Sequence, residues 1–107
     1  MKIFISQPMS GLELDEIKET RKEAVMFATE FLLSNNLVKD TDKVSILDNL
    51  QEDLDPVTTH ALEYLGNDIK MLKDAGLICF AKGWEKSKGC NIEFQVAKTY
   101  NIKMIFM

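Results

Sequence analysis

The sequence predicts an α/β protein with a small, mainly parallel four-stranded sheet, formed as a single domain by residues 1–107. Four apolar runs of strand length alternate with three segments whose apolar residues recur at helical spacing. This β-α-β-α-β-α-β order favours parallel strands, right-handed crossovers and helices on both faces of the sheet. Continuous apolar runs such as Leu77 to Ala81 are typical of strands that are buried on both faces.

The individual elements follow from apolar periodicity and from turn residues. Strands are predicted at Lys2 to Ser6, Lys43 to Leu47, Leu77 to Ala81 and Ile102 to Phe106. Helices are predicted at Leu12 to Ser34, Val57 to Asp74 and Gly89 to Asn101. Asn35 and Asn36 end the first helix, because asparagine tolerates a left-handed backbone conformation. A polar segment, Asp48 to Pro56, separates the second strand from the second helix.

Composition excludes several classes of function. The net charge is −4 and Arg21 is the only arginine, which argues against polymeric nucleic acid as a partner but leaves a small nucleoside or nucleotide open. No apolar run is long enough to cross a bilayer, so no membrane partner is expected. Cys79, Cys90 and the lone His60 show no metal-ligand spacing, so we expect no metal site and a reducing, cytoplasmic setting.

Two turns are predicted to meet at one edge of the sheet. The turn Ser6 to Gly11 follows the first strand, and the segment Lys82 to Glu93 follows the third. In parallel α/β sheets, ligands bind at the carboxyl ends of the strands. Neither segment contains a P-loop or a G-x-G-x-x-G motif, so ATP and NAD are not predicted ligands. Because Met26 and Phe27 lie on an exposed helical face of a small sheet, dimerisation through that face is also expected.

Two carboxylates are candidates for chemistry. Glu93 lies in the first turns of a predicted helix, where the helix dipole stabilises an anion, and it could attack a sugar carbon as a nucleophile. The alternative is that Glu93 merely caps the helix. Asp68, on the polar side of the second helix, is the second catalytic candidate, and its alternative is a solvated surface carboxylate.

Other side chains near the two turns have both a functional and a structural interpretation. Trp84 could stack on a base ring or pack over the edge of the sheet. Ser10 and Ser87 could donate to a phosphate or a sugar hydroxyl, or form turn hydrogen bonds. Arg21 is expected to pair with a nearby glutamate of its own helix, such as Glu19.

Two motifs resemble one known family. Residues 3–11, I-F-I-S-Q-P-M-S-G, resemble the opening strand and loop of the nucleoside 2-deoxyribosyltransferase-like proteins, often I-Y-[IL]-[AS]-G-P-[ML]-[TS]-G. Residues 83–93, G-W-E-K-S-K-G-C-N-I-E, are similar to their G-W-x-x-S-x-G-A-x-x-E segment. The form with tryptophan is typical of a small phage- and bacterium-associated branch related to the 2′-deoxynucleoside 5′-monophosphate N-hydrolases. The resemblance covers nearly the whole chain in order and spacing.

The resemblance implies a flavodoxin-like three-layer fold and a homodimer or higher homo-oligomer. It also implies cleavage or transfer of the N-glycosidic bond of a 2′-deoxynucleoside or its 5′-monophosphate, with no metal or organic cofactor. Glu93 matches the family's nucleophile, which forms a glycosyl-enzyme ester. Asp68 falls near an aspartate that contacts the deoxyribose or assists protonation.

The resemblance places the substrate contacts in the two turns. These residues are Ser6, Gln7, Pro8, Met9, Ser10, Gly11, Gly83, Trp84, Ser87 and Gly89. The chain also departs from the pattern, because Phe4 replaces a common tyrosine, Gln7 replaces a glycine, and the first loop has no arginine. These departures motivate an alternative, a non-catalytic module that binds, senses or sequesters a nucleotide.

Overall fold

The computed structural model describes residues 1–50 and 60–107 of the chain. Its strands are β1 (Lys2–Ser6), β2 (Ser45–Ile46), β3 (Leu77–Phe80) and β4 (Met104–Phe106), and its helices are α1 (Leu14–Ser34), α2 (Ala61–Leu72) and α3 (Lys88–Thr99). Short 3₁₀ turns at Thr41–Lys43 and Trp84–Lys86 precede β2 and α3. The predicted start of the second helix at Val57 and most of the polar segment Asp48 to Pro56 lie outside the described residues.

The four strands form one parallel sheet in the order β2-β1-β3-β4. Helix α1 packs on one face through Ala24, Ala28 and Leu32. Helices α2 and α3 pack on the other face through Leu72 and Ala97. The predicted fold class, a small three-layer α/β sandwich with a parallel sheet, is therefore confirmed.

Strand β3 shows why the sheet is buried on both sides. Successive side chains of a strand point to opposite faces, so Leu77 and Cys79 join the core beneath α1 while Ile78 and Phe80 join the core beneath α2 and α3. All four side chains are fully buried. A strand with two buried faces requires an apolar residue at every position, which is the pattern the sequence contains.

Strand β3 ends at Phe80, one residue before its predicted end, and strands β2 and β4 are shorter than predicted by more, for local backbone reasons. Strand β2 begins at Ser45 because the preceding residues form a 3₁₀ turn, in which the Asp40 side chain accepts a hydrogen bond from the backbone N–H of Asp42. Strand β4 begins at Met104 rather than Ile102. Asn101 adopts φ 56° and the N–H of Ile102 bonds to the carbonyl of Ala97, so these residues close helix α3 instead of joining the sheet.

The ends of α1 are also set by local backbone geometry. The helix begins at Leu14 rather than at Leu12, because Gly11 is in the left-handed region and the N–H of Leu12 bonds to the carbonyl of Met9. It ends at Ser34 as predicted, and Asn36 takes the left-handed conformation with φ 57°. Among the helices described, none is long and apolar enough to cross a membrane.

Candidate functional site

The two predicted turns meet at the carboxyl edge of the sheet. Ser6 and Phe80 are register partners at the ends of β1 and β3, and the N–H of Ala81 donates to the Ser6 carbonyl at 2.8 Å. Gly83 has φ 90°, and a Cβ atom placed on it would lie 3.7 Å from Cγ of Pro8. The predicted juxtaposition of these turns is therefore confirmed.

Glu93 projects from α3 into this edge rather than capping its helix. Only 3 % of Glu93 is exposed, and its Oε1 atom accepts a 2.6 Å hydrogen bond from the Ser6 hydroxyl, 87 positions away in the chain. The cap of α3 is Ser87, whose hydroxyl accepts from the backbone N–H of Cys90 at 3.3 Å. The capping interpretation of Glu93 is wrong, because its position one and a half turns into the helix directs it at the sheet.

Glu93 and Asp68 form a hydrogen-bonded carboxyl pair. Burial raises the pKa of Glu93 from 4.5 to about 8; the Ser6 hydrogen bond opposes this, while the charge and hydrogen bond of Asp68 add to it. Two carboxyl groups share a hydrogen bond only when one of them holds a proton. The pair therefore carries one proton near neutral pH, and Asp68, which is half-buried, is not the solvated surface group of the alternative interpretation.

Cys90 is a further buried side chain next to Ser6 and Glu93. It is 2 % exposed, and its side chain is hydrogen-bonded to the hydroxyls of both Ser6 and Ser87. Burial raises the pKa of its thiol, and the nearby Glu93 and Asp68 carboxyls raise it further, against the effect of the two serines. The thiol is thus neutral and serves as a packing and hydrogen-bonding group rather than as a nucleophile.

Arg21 anchors the opposite side of the site, which sequence reasoning did not foresee. Its Nη1 donates to Oδ1 of Asn49 at 2.8 Å, and its Nη2 donates to the Leu47 carbonyl at 2.7 Å. Asn49 is 1 % exposed and in turn donates to the Ile5 carbonyl at 2.8 Å. The expected pairing of Arg21 with a glutamate of its own helix is wrong, because its side chain extends to the end of β2 instead.

The charge of Arg21 faces two carboxylates. Burial lowers the pKa of its guanidinium, whereas Asp48 and then Asp68 raise it. Two signals in the sequence indicated this network: Arg21 is the single arginine among 13 basic residues, and Asn49 lies in the polar segment shortly after β2. Arginine holds two acceptors in a fixed fork, which explains why lysine is not used here.

The Gln7 side chain points toward α1 and away from the carboxyl edge of the sheet. It is 5 % exposed, and its Nε2 donates to the Ile17 carbonyl in the first turn of α1 at 2.9 Å. Its Oε1 is buried without a hydrogen-bond partner among the described residues. The rest of the turn lies closer to solvent, with Pro8 and Met9 half-buried and Ser10 exposed.

Trp84 packs in an aromatic cluster. Its ring centroid lies 5.0 Å from that of Phe80, 5.2 Å from Phe94 and 5.4 Å from Phe106. Of the two interpretations of Trp84, these contacts favour packing over the sheet edge. The half-buried ring belongs to the 3₁₀ turn that directly precedes Ser87, the N-cap of α3.

A groove of about 510 Å³ runs along α1 beside this site. It combines three cations with three apolar side chains and one carboxylate. Its lining residues are Lys18, Arg21, Lys22, Val25, Met26, Ile46 and Asp48. Arg21 therefore belongs both to this surface and to the network at the sheet edge. Within the described part of the chain, no group of three or more His, Cys, Asp and Glu side chains could hold a metal ion.

The fold and the site together define a class: small parallel α/β proteins with a buried glutamate that is hydrogen-bonded to a serine and an aspartate at the carboxyl edge of the sheet. Residues 1–106 match the family model described as "Domain of unknown function (DUF4406)", and the chain belongs to this family. No curated protein and no solved structure matches the chain.

Proposed function

We propose that this protein cleaves or transfers the N-glycosidic bond of a 2′-deoxynucleoside or its 5′-monophosphate, with Glu93 as the nucleophile. The observation that carries this proposal is the buried Ser6–Glu93–Asp68 constellation at the meeting point of the two turns. The motif resemblance supports the substrate class. The geometry supports a reaction that needs one nucleophilic carboxylate and one proton donor.

The single proton of the pair matches the demands of this reaction. When the proton passes from Glu93 to Asp68, Glu93 becomes an anion that bonds to C1′ as the C1′–N bond breaks. The electron pair of that bond goes to the base, which takes the proton from Asp68. Water, or a second base, then attacks C1′ as the ester bond to Glu93 breaks, and the electron pair of that bond returns to the Glu93 carboxylate. The attacking group gives its proton to Asp68, so the pair again holds one proton, which passes back to Glu93.

In this scheme Ser6 positions the carboxyl group of Glu93. Its hydroxyl holds one oxygen of Glu93 at 2.6 Å, which fixes the carboxyl group in a single rotamer and leaves the other oxygen for the pair and the substrate. The serines of the two turns, Ser10 and Ser87, remain the proposed contacts for the 5′-hydroxyl or phosphate, although Ser87 also caps α3.

The test is release of free base from deoxynucleosides and their 5′-monophosphates, measured by chromatography, with ribonucleosides as the comparison. Glu93→Gln and Asp68→Asn are expected to lower the rate at least about a hundredfold, because each removes a group that changes its charge during the reaction. Glu85→Gln is the matched control, since Glu85 is exposed in the same segment. Equal rates in Glu93→Gln and wild type, or no base released from any substrate, would contradict the proposal.

A second candidate is a nucleotide-binding module without turnover. The observation that favours it is the raised pKa of Glu93, because a neutral carboxyl binds a ligand by hydrogen bonds but does not attack it. In that case wild type and Glu93→Gln bind a nucleotide with similar affinity by calorimetry, and no base is released over prolonged incubation.

We further propose that the protein works as a homodimer or higher homo-oligomer in the reducing cytoplasm. Both cysteines are free and buried, as a reducing setting permits. The exposed Met26 on α1, next to the groove, supports a contact between copies on that face.

A further inference from the structure

Arg21 connects three parts of the molecule that meet at the carboxyl pair. It extends from α1 to the residues after β2, where Asn49 and Leu47 hold its two terminal nitrogens at 2.8 and 2.7 Å. Asp68, on α2, is within electrostatic reach of the guanidinium. Because Asn49 is itself buried and hydrogen-bonded to β1, the guanidinium is held in one position, from which its charge acts on Asp68.

The two carboxyl groups of the pair have unequal surroundings. Glu93 is almost completely enclosed and faces the neutral Ser6 hydroxyl, the neutral Cys90 thiol and Asp68. Asp68 is half-buried, and it interacts electrostatically with the Arg21 cation as well as with Glu93. A negative charge costs less free energy at the half-buried position beside a cation than at the enclosed one.

We propose that Arg21 is a positioning residue that keeps Asp68 ionised, so that the single proton of the pair rests on Glu93 in the free protein. This inference deepens the proposed function. The position of the proton does not depend on that function, and only its consequence for catalysis rests on it. In the free protein Glu93 is then the neutral acid, and it becomes a nucleophile when its proton moves to Asp68. Substrate must supply that shift, for example by placing the positive charge of an oxocarbenium-like C1′ next to Glu93.

The other charged side chains near Arg21 determine how strongly its guanidinium stabilises the ionised form of Asp68. Asp48 also faces the guanidinium and competes with Asp68 for it. Lys18 and Lys22 lie along the same groove and add positive potential, and the two hydrogen bonds of Arg21 to Asn49 and Leu47 bring its charge to the sheet edge. Removing the Arg21 charge should therefore favour protonation of Asp68, and the proton should redistribute from Glu93 to Asp68.

The experiment is a carbon-13 NMR titration of the side-chain carboxyl groups in the full-length protein, with signals assigned through Glu93→Gln and Asp68→Asn. In the wild type near neutral pH, we expect Glu93 at its protonated position and Asp68 at its ionised position. In Arg21→Met, the two signals should shift in opposite directions, each by a large part of the neutral-to-ionised difference. Arg21→Lys, which retains a charge but not the two-pronged hydrogen bonding, should shift the signals less than Arg21→Met does, and Lys22→Met is the control for loss of a charge from the same groove.

Several results would overturn the inference. One is a wild type in which Asp68 holds the proton, and this measurement needs no Arg21 variant to fold. Others are unchanged signals in Arg21→Met, equal shifts in Lys22→Met, or an Arg21→Lys protein that behaves like Arg21→Met. Because the titration needs no substrate, a correct proton assignment together with a failed base-release assay would refute the proposed function and leave the role of Arg21 standing.

Discussion

The Glu93 carboxyl lies in the second turn of α3 with 3 % of its surface exposed, where two opposing electrostatic effects meet. The dipole of α3 favours the anion, but its effect falls off beyond the first turn. Desolvation favours the neutral acid, and Asp68 adds to that preference. Burial prevails, so the expectation of an anion stabilised by the helix is wrong for the free protein.

The raised pKa of Glu93 predicts a specific pH dependence of stability. Because the folded-state pKa of about 8 lies above the ordinary value of 4.5, the stabilising preference for the protonated form is complete below about pH 4.5 and is lost as the pH rises through about 8. Between about pH 5 and pH 8.5, wild type should lose roughly 1 to 3 kcal/mol of unfolding free energy from this group.

Urea unfolding across this pH range measures the effect. Glu93→Gln mimics the neutral acid at every pH, so its stability should change less and should exceed that of wild type at the alkaline end. Glu85→Gln, at an exposed position, is expected to follow the wild-type curve. A flat wild-type curve, or a Glu93→Gln curve as steep as the wild type, would show that Glu93 does not titrate in this range.

The N-terminus of helix α3 is capped by the Ser87 side chain, which also contacts the site. Ser87 caps the backbone N–H of Cys90, and its hydroxyl is hydrogen-bonded to the Cys90 thiol as well. The same helix carries Glu93 about one turn beyond Cys90. The position of the nucleophile candidate therefore depends on where this helix begins.

Replacing the cap is predicted to destabilise the fold. Ser87→Ala should lower the free energy of unfolding by about 1 kcal/mol, because an N–H of the first turn of α3 loses its acceptor. Chemical denaturation gives the value directly. Ser10→Ala, at an exposed turn position, should change stability by less than about 0.5 kcal/mol. Equal losses in the two variants would mean that the cap contributes nothing of its own.

At the scale of the whole molecule, helix α1 exposes apolar side chains that a single copy leaves in water. Met26 is 65 % exposed and Phe27 is 39 % exposed, and Met26 adjoins the groove that also contains Val25 and Ile46. Burying apolar surface of this kind contributes about 25 cal/mol for each Å² removed from water. A contact between two α1 helices would bury these side chains.

We therefore predict that Met26→Lys shifts the protein toward the monomer. Light scattering after size-exclusion chromatography should show a dimer or larger species for wild type and a smaller mass for the variant. Leu62→Lys is the matched control, since Leu62 is 68 % exposed on α2, away from α1. A monomeric wild type, or an equal effect of both substitutions, would contradict assembly through α1.

The sequence by itself determined the elements, their order and the meeting of the two turns. Helical periodicity, unbroken apolar strands and turn residues are local properties, and parallel topology follows from strands that alternate with helices. The sequence also identified Glu93 and Asp68 as the candidate catalytic carboxyl groups. The errors at the ends of β2 and β4 arose where a 3₁₀ turn and a helix-closing asparagine used the residues locally.

Only the tertiary structure decided what the polar side chains do. Glu93 bonds to Ser6 across 87 positions, and Arg21 bonds to Asn49 across 28, so no local pattern reveals either contact. The protonation of Glu93 is a matter of how completely the neighbouring elements exclude water from it, which no residue type specifies. Periodicity predicts which face of an element is apolar, whereas the partners and the charge of a buried polar group depend on what the fold places against it.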